Sequence, residues 1–188
     1  MTLPITAPIA IPRASAEELA ERGWRYEEVS LPDGTTELMM IPLTEHEYLH
    51  PKEDYHLPSN TFHAKTIASI YDRLERRYAD NPTVGIYDDL LIEWPQPDLG
   101  DHAPDISVIF DVQDRERYRA KFIITREQGA FPRLLIEVVS PHYRTTDRVT
   151  KVQQFAYAGV HEYLIIDRRT HHLQVCYKLP RYRLVRGQ

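Results

Sequence analysis

The chain has 188 residues, 42% hydrophobic and 27% charged, a globular balance that excludes global disorder. Lys plus Arg number 23 against 28 for Asp plus Glu, so the formal net charge is −5 and nucleic-acid binding through bulk positive charge is excluded. Only 7 glycines against 14 prolines argue against a glycine-rich phosphate loop, and the single cysteine, Cys176, excludes an intrachain disulfide or a Cys-rich zinc site.

Residues 1–13, interrupted by Pro4, Pro8 and Pro12, read as an arm without the continuous apolar core of a signal peptide. Ser15 and Glu18 have capping-box spacing, which predicts a short helix over 16–22 that stops at Gly23. Two strands follow, 24–30 and 37–41, turned at Asp33-Gly34. Residues 1–43 are therefore an N-terminal extension with a hairpin, and 44–188 form the main domain. Thr44 and Glu47 suggest another helix cap, and 49–58 is a polar, Pro-bounded loop.

Residues 59–78 place Phe62, Ile67, Ile70, Tyr71, Leu74 and Tyr78 at three- and four-residue spacings, an amphipathic helix ended by Asn81-Pro82. From residue 83 the pattern turns to strands: 84–87, 90–94, 105–111, a weaker one at 121–125, and 134–139. The last is an apolar run holding one charge, Glu137, as expected of a strand buried on both faces. Residues 144–158 are helical with Gly159 as C-cap. Strands follow at 162–167 and 173–177, with a possible edge strand at 181–185. Cys176 reads as a buried strand thiol. The order implies an α/β (α+β) fold with a central mixed β-sheet flanked by helices. No stretch approaches ~18 uninterrupted apolar residues, so the expectation is a cytoplasmic protein without membrane contact.

Asp105, directly after Pro104, and Glu137 are carboxylates set in apolar runs. An ionised carboxylate there is costly unless paired, hydrogen-bonded or bound to a cation. A divalent metal accounts for both if their strands are neighbours. A buried ion pair of Glu137 with an Arg or Lys is the competing structural explanation. The nine histidines show no zinc-ligand spacing, although His46 and His50 are four apart.

Pro104-Asp105 followed by Glu137 on a buried strand resembles the PD-(D/E)XK nuclease pattern. The longer string PDISVIF, LLIEVVSP, DRVTK (147–151) and AGVHEYLIID resembles the Uma-two restriction-endonuclease family. The resemblance implies a restriction-endonuclease-like core and an Mg²⁺- or Mn²⁺-dependent endonuclease acting on DNA. It implies no small-molecule organic cofactor. On this reading Asp105 and Glu137 hold the metal, with the Val138 carbonyl. The motif's lysine, two residues after the Glu, is replaced here by Val139. The resemblance offers Lys151, on the next helix, as a relocated lysine. At about 100° per residue Lys151 sits about 40° from Phe155. That places it at the border of a stripe formed by Val149, Val152 and Ala156, where it can turn to a site or to solvent. A surface i,i+4 pair with Asp147 is the plainer alternative.

Glu93 is the candidate extra acid, chosen over Asp89 on condition that its strand neighbours Asp105. His102 and His142 are candidates for proton transfer or phosphate contact. Gln153 with Tyr157 matches a helix pair found in some nuclease relatives, with Gln154 the competing polar residue. Arg144 and Arg148 are candidate phosphate contacts, with Arg133 at the start of the Glu137 strand. Ordinary solvated positions are the alternative for all of these. A duplex cutter needs two sites, which makes a homodimer plausible. The competing function is a catalytically inactive nuclease-fold module for interaction or nucleic-acid binding.

Overall fold

The computed structural model describes residues 13–31 and 33–167, and the backbone of 174–178. The expected arm over 1–13 except Arg13, the edge strand at 181–185, His171, His172 and the Cys176 side chain lie outside the described residues.

The first helix, α1 (Ala16–Arg22), is capped as its sequence predicts: the Ser15 hydroxyl accepts from the Glu18 amide. Gly23 ends it at φ 72, where a Cβ would collide with the His56 carbonyl. Strands β1 (Trp24–Ser30) and β2 (Thr36–Pro42) form the antiparallel hairpin. A full capping box between Thr44 and Glu47 then starts α2 (Glu45–Leu49), a five-residue helix that buries Tyr48 and Leu49. Its position matters below.

Helix α3 (Thr61–Arg77) starts at Asn60, whose side chain accepts from the Phe62 and His63 amides. The strands that follow are β3 (Val84–Asp88), β4 (Leu91–Glu93), β5 (Ile106–Phe110), β6 (Lys121–Ile123) and β7 (Phe131–Val138). A π-helical turn, Thr146–Thr150, runs directly into α4 (Lys151–Ala158), which Gly159 closes in the left-handed region. Strands β8 (Glu162–Ile166) and β9 (Gln174–Lys178) complete the sheet.

The fold is α+β. Its central sheet has the order β3-β5-β7-β8-β9 and is mixed, antiparallel except where β7 runs parallel to β8. Side chains alternate across β7. Ile136 joins Val84, Ile86, Ile106 and Val108 on one face, against Ile67, Ile70, Tyr71 and Leu74 of α3. Leu135 joins the opposite face, with Phe155 and Ala156 of α4 and with Ile92 and Phe122. The latter two belong to the parallel pair β4–β6, a second small sheet. Glu137 shares its parity with Leu135, so it points to the α4 face. Where β5 pairs with β7, Ile106 faces Ile136. One more step of that antiparallel register sets Asp105 against Glu137.

Among the described residues, no helix is long and apolar enough to cross a membrane.

Candidate active site

The end of β7 brings together side chains from five separate segments. Asp105 Oδ2 accepts from the Val138 amide at 2.6 Å and lies 3.1 Å from His63 Nε2 on α3. Glu137 Oε1 takes the Lys151 ammonium at 2.8 Å. Lys151 also lies 3.1 Å from Asp147 Oδ1 and 3.3 Å from the Tyr48 hydroxyl. Tyr48 in turn donates to Asp147 Oδ1 at 2.7 Å. The cluster is dry: Asp105, Glu137, Asp147 and Lys151 are each at most 5% exposed.

Three buried carboxylates face one ammonium, and burial leads the titrations of Glu137, Asp147 and Lys151, with the neighbouring charges second. Burial pushes Glu137 well above the carboxylate range; the Lys151 charge opposes this and Asp105 adds to it. Asp147 is raised by burial in the same way, against the pull of Lys151 and the Tyr48 hydrogen bond. Burial alone would lower Lys151, but the charges of Glu137 and Asp147 outweigh it and the net shift is upward. For His63, burial is likewise outweighed by its bond to Asp105, and its pKa is raised. Lys151 together with a protonated His63 still leaves one of the three carboxylates without a cation, and a group carrying further positive charge would relieve it.

A hard divalent cation fits that description. The protein contacts just named fall on Oδ2 of Asp105 and Oε1 of Glu137, and Asp147 Oδ2 is buried without a hydrogen-bond partner. The donors are all oxygens, the ligands Mg²⁺ and Mn²⁺ take. Among the described residues no three His, Cys, Asp or Glu side chains are arranged to hold a metal by themselves. Asp105 and Glu137 by themselves would supply only part of such a shell, and backbone carbonyl and water would have to complete it.

A family model described as "Uma2: Putative restriction endonuclease" matches residues 15–187, a span that includes every residue of the cluster. The chain belongs to this family. A crystal structure described as "a putative nuclease belonging to DUF820 from Anabaena variabilis ATCC 29413" is similar with a TM-score of 0.49 and 15% identity, covering 73% of this chain and 80% of that one. No curated protein matches.

This Uma2 chain sorts the sequence candidates into those that meet and those that do not. Asp105, Glu137, Lys151 and Asp147 meet. The ion pair given as the structural explanation of Glu137 is present, with Lys151 as its partner at 2.8 Å. The Asp147–Lys151 pair is present, but buried rather than at a wet surface. Val138 joins the cluster through its backbone N–H, which donates to Asp105 Oδ2.

Glu93 is not in the cluster. Its strand β4 pairs with β6, not with β5, and Glu93 contacts Lys121 at 3.4 Å. The extra acid near Asp105 is Asp89, at the β3–β4 turn with φ 47. Asp89 is exposed as a residue, yet its carboxyl is crowded enough that desolvation, followed by the Asp105 charge, raises its pKa to about 6. With His63 it lines a groove of about 1050 Å³ between the 51–59 loop and α3.

His102 does not point into the site. Its Nδ1 accepts from the Trp94 indole N–H at 2.9 Å, so Nε2 carries the proton and donates to Gln154 Oε1 at 2.8 Å. Gln154, not Gln153, is therefore the engaged glutamine; Gln153 is exposed. Tyr157 donates to Asp98 on the surface. Arg144 and Arg148 both hold Asp167, at 2.6 and 3.1 Å, so their guanidinium charges are already engaged. Arg133 lies at the far end of β7 over the Phe110 ring, and His142 is exposed against Tyr143.

Sequence reasoning missed Tyr48 and His63. His63 lies in the polar entry turn of α3, and its capping signal at Asn60 was legible. Tyr48 had no signal beyond an aromatic one residue after the capping Glu47, and its partners are 99 and 103 residues away.

Proposed function

We propose that this chain is an Mg²⁺- or Mn²⁺-dependent endonuclease that hydrolyses DNA phosphodiester bonds. The observation that carries the reading is a dry cluster that holds Asp105 together with a Glu137–Lys151 pair, in a chain of the Uma2 family. In this reading Asp105, Glu137 and the Val138 carbonyl hold the cation. When bound, the cation polarises a phosphoryl oxygen and lowers the pKa of water. Lys151 supplies an oriented ammonium against charge that develops on the scissile phosphate. His63 holds Asp105 in place from α3. Residues 44–188 form the nuclease-like domain, with 1–43 as its extension. Cutting both strands of a duplex takes two such sites, which a homodimer provides, and the cytoplasm is the compartment that fits.

A second reading has its own support. Arg144 and Arg148 are committed to Asp167, and Lys151 is committed to three acceptors, which suits a module that keeps the fold without turnover.

Supercoiled plasmid with Mg²⁺ or Mn²⁺, and calorimetric titration of the metal into the protein alone, separate the two. The nuclease reading expects nicking that EDTA stops. Asp105→Ala or Glu137→Ala loses cleavage and metal binding together, whereas Lys151→Ala loses cleavage with metal binding largely kept. Absence of both nicking and metal binding in the wild type selects the second reading.

A further inference from the structure

A lysine ammonium has three N–H donors. Lys151 has three acceptors within reach: Glu137 Oε1 at 2.8 Å, Asp147 Oδ1 at 3.1 Å and the Tyr48 hydroxyl at 3.3 Å. The three are not equivalent. Tyr48 donates its own proton to the same Asp147 oxygen that faces Lys151, so Tyr48, Asp147 and Lys151 close a triangle. The Tyr48 ring also lies beneath the ammonium, 4.4 Å from centroid to Nζ.

The triangle is braced from outside α4. Tyr48 stacks face to face on Tyr143, with centroids 3.9 Å apart and planes 7° from parallel. The Tyr143 hydroxyl reaches the Leu43 carbonyl at 2.7 Å, which ties the stack to the segment leading into α2. Glu137, by contrast, meets the ammonium from β7 and stands outside the triangle.

We propose that Tyr48 is the positioning residue of Lys151: with Asp147 it holds two of the three ammonium donors, and the third, now on Glu137, is the one that exchanges onto a phosphate oxygen of the substrate. The proposal rests on the nuclease reading. The phenol keeps its proton because burial, reinforced by the Asp147 charge, holds its pKa well above the usual value. The hydroxyl therefore stays a donor to Asp147 while its oxygen accepts from Lys151. No bond other than hydrogen bonds forms or breaks. A donor oriented in advance stabilises developing charge without reorganising during the reaction, and a lysine free to swing loses that advantage.

Tyr48→Phe keeps the stacked ring and removes only the hydroxyl. It is expected to lower kcat on DNA with Mn²⁺ by about ten-fold, with KM within about two-fold and the Mn²⁺ isotherm unchanged. A second readout needs no turnover: acylation of Lys151 by acetic anhydride in metal-free protein, followed by peptide mass spectrometry. Tyr48→Phe should raise that rate by about ten-fold, because the ammonium loses one of its anchors. Asp147→Asn, which breaks the triangle from the helix side, is expected to move both readouts in the same direction and serves if Tyr48→Phe does not fold. A folded Tyr48→Phe with wild-type kcat and wild-type Lys151 reactivity overturns the proposal, as does a KM increase at constant kcat. If the wild type cleaves no DNA, the nuclease reading fails. The acylation rate then still decides positioning, and no change in it overturns the proposal.

Discussion

Two buried polar networks meet α4 within one turn of each other, at Lys151 and at Gln154. The Trp94–His102–Gln154 chain is neutral, and both ring nitrogens of His102 have partners. Burial holds His102 at about 3, so the imidazole carries no charge near neutrality. The Lys151 cluster has three carboxylates against one ammonium, and Asp147 Oδ2 has no hydrogen-bond partner. A balanced network fixes a core, whereas an unbalanced one stores a demand for a further cation or donor. The difference also explains why His102, which lies three residues from Asp105, belongs to packing and not to the site.

The largest effect is expected from removing the only ammonium of the cluster. Lys151→Met leaves buried carboxylates without a partner, which costs about 3–5 kcal/mol. Urea denaturation of metal-free protein at pH 8 should show that loss. Part of it should return at pH 5, where the carboxyls take up protons. A loss equal at both pH values would break the comparison, because it would mean that charge imbalance is not what strains the site.

His102→Phe should come next. It leaves the Trp94 N–H and the Gln154 carbonyl unpaired, at about 1–3 kcal/mol for each buried group. Stability should fall while metal binding and any cleavage per folded molecule stay at wild-type levels. A selective loss of metal binding would move His102 back into the site.

The smallest expected effect is also the sharpest in sign. His102 is lowered, so the unfolded chain binds the extra proton; its contribution is complete above about 6.5 and is lost as pH falls through about 3. Glu137 and Asp147 are raised, so their contribution is present below the ordinary carboxylate range and is lost as pH rises through their folded values. Asp89 adds to that alkaline loss between about 3.8 and about 6. The Tm of metal-free protein should therefore decline on both sides. His102→Phe should flatten the acid side alone, and Mn²⁺ should flatten the alkaline side alone. Declines of a few degrees per pH unit are expected, since a proton bound by only one of the two states is worth about 1.4 kcal/mol per pH unit.

Much of the site was legible because carboxylates inside apolar runs are anomalous wherever they occur. Asp105 and Glu137 needed no structure to be singled out, and Lys151 followed from the family string. Helix and strand order was equally local: Ser15, Thr44 and Gly23 act at the places where their capping chemistry predicts. Glu93 against Asp89 was not local. Alternation along 89–93 does not say which strand lies alongside β5, and the pairing of β4 with β6 decided it.

The orientation of Lys151 shows where the sequence stops. At 3.6 residues per turn, Val149 belongs to the apolar stripe and Lys151 to its border. The π-helical turn Thr146–Thr150 changes that phase: Val149 is half exposed, while Asp147 and Lys151 are buried. Its wider turn buries two charges because Tyr48 and Glu137 wait for them, and those partners come from α2 and β7. The sequence by itself determined the element order, the anomalous carboxylates and the family. Only the tertiary structure decided which charges share one dry volume, because burial and hydrogen bonding across 103 residues of chain are properties of the packed molecule and of no local pattern.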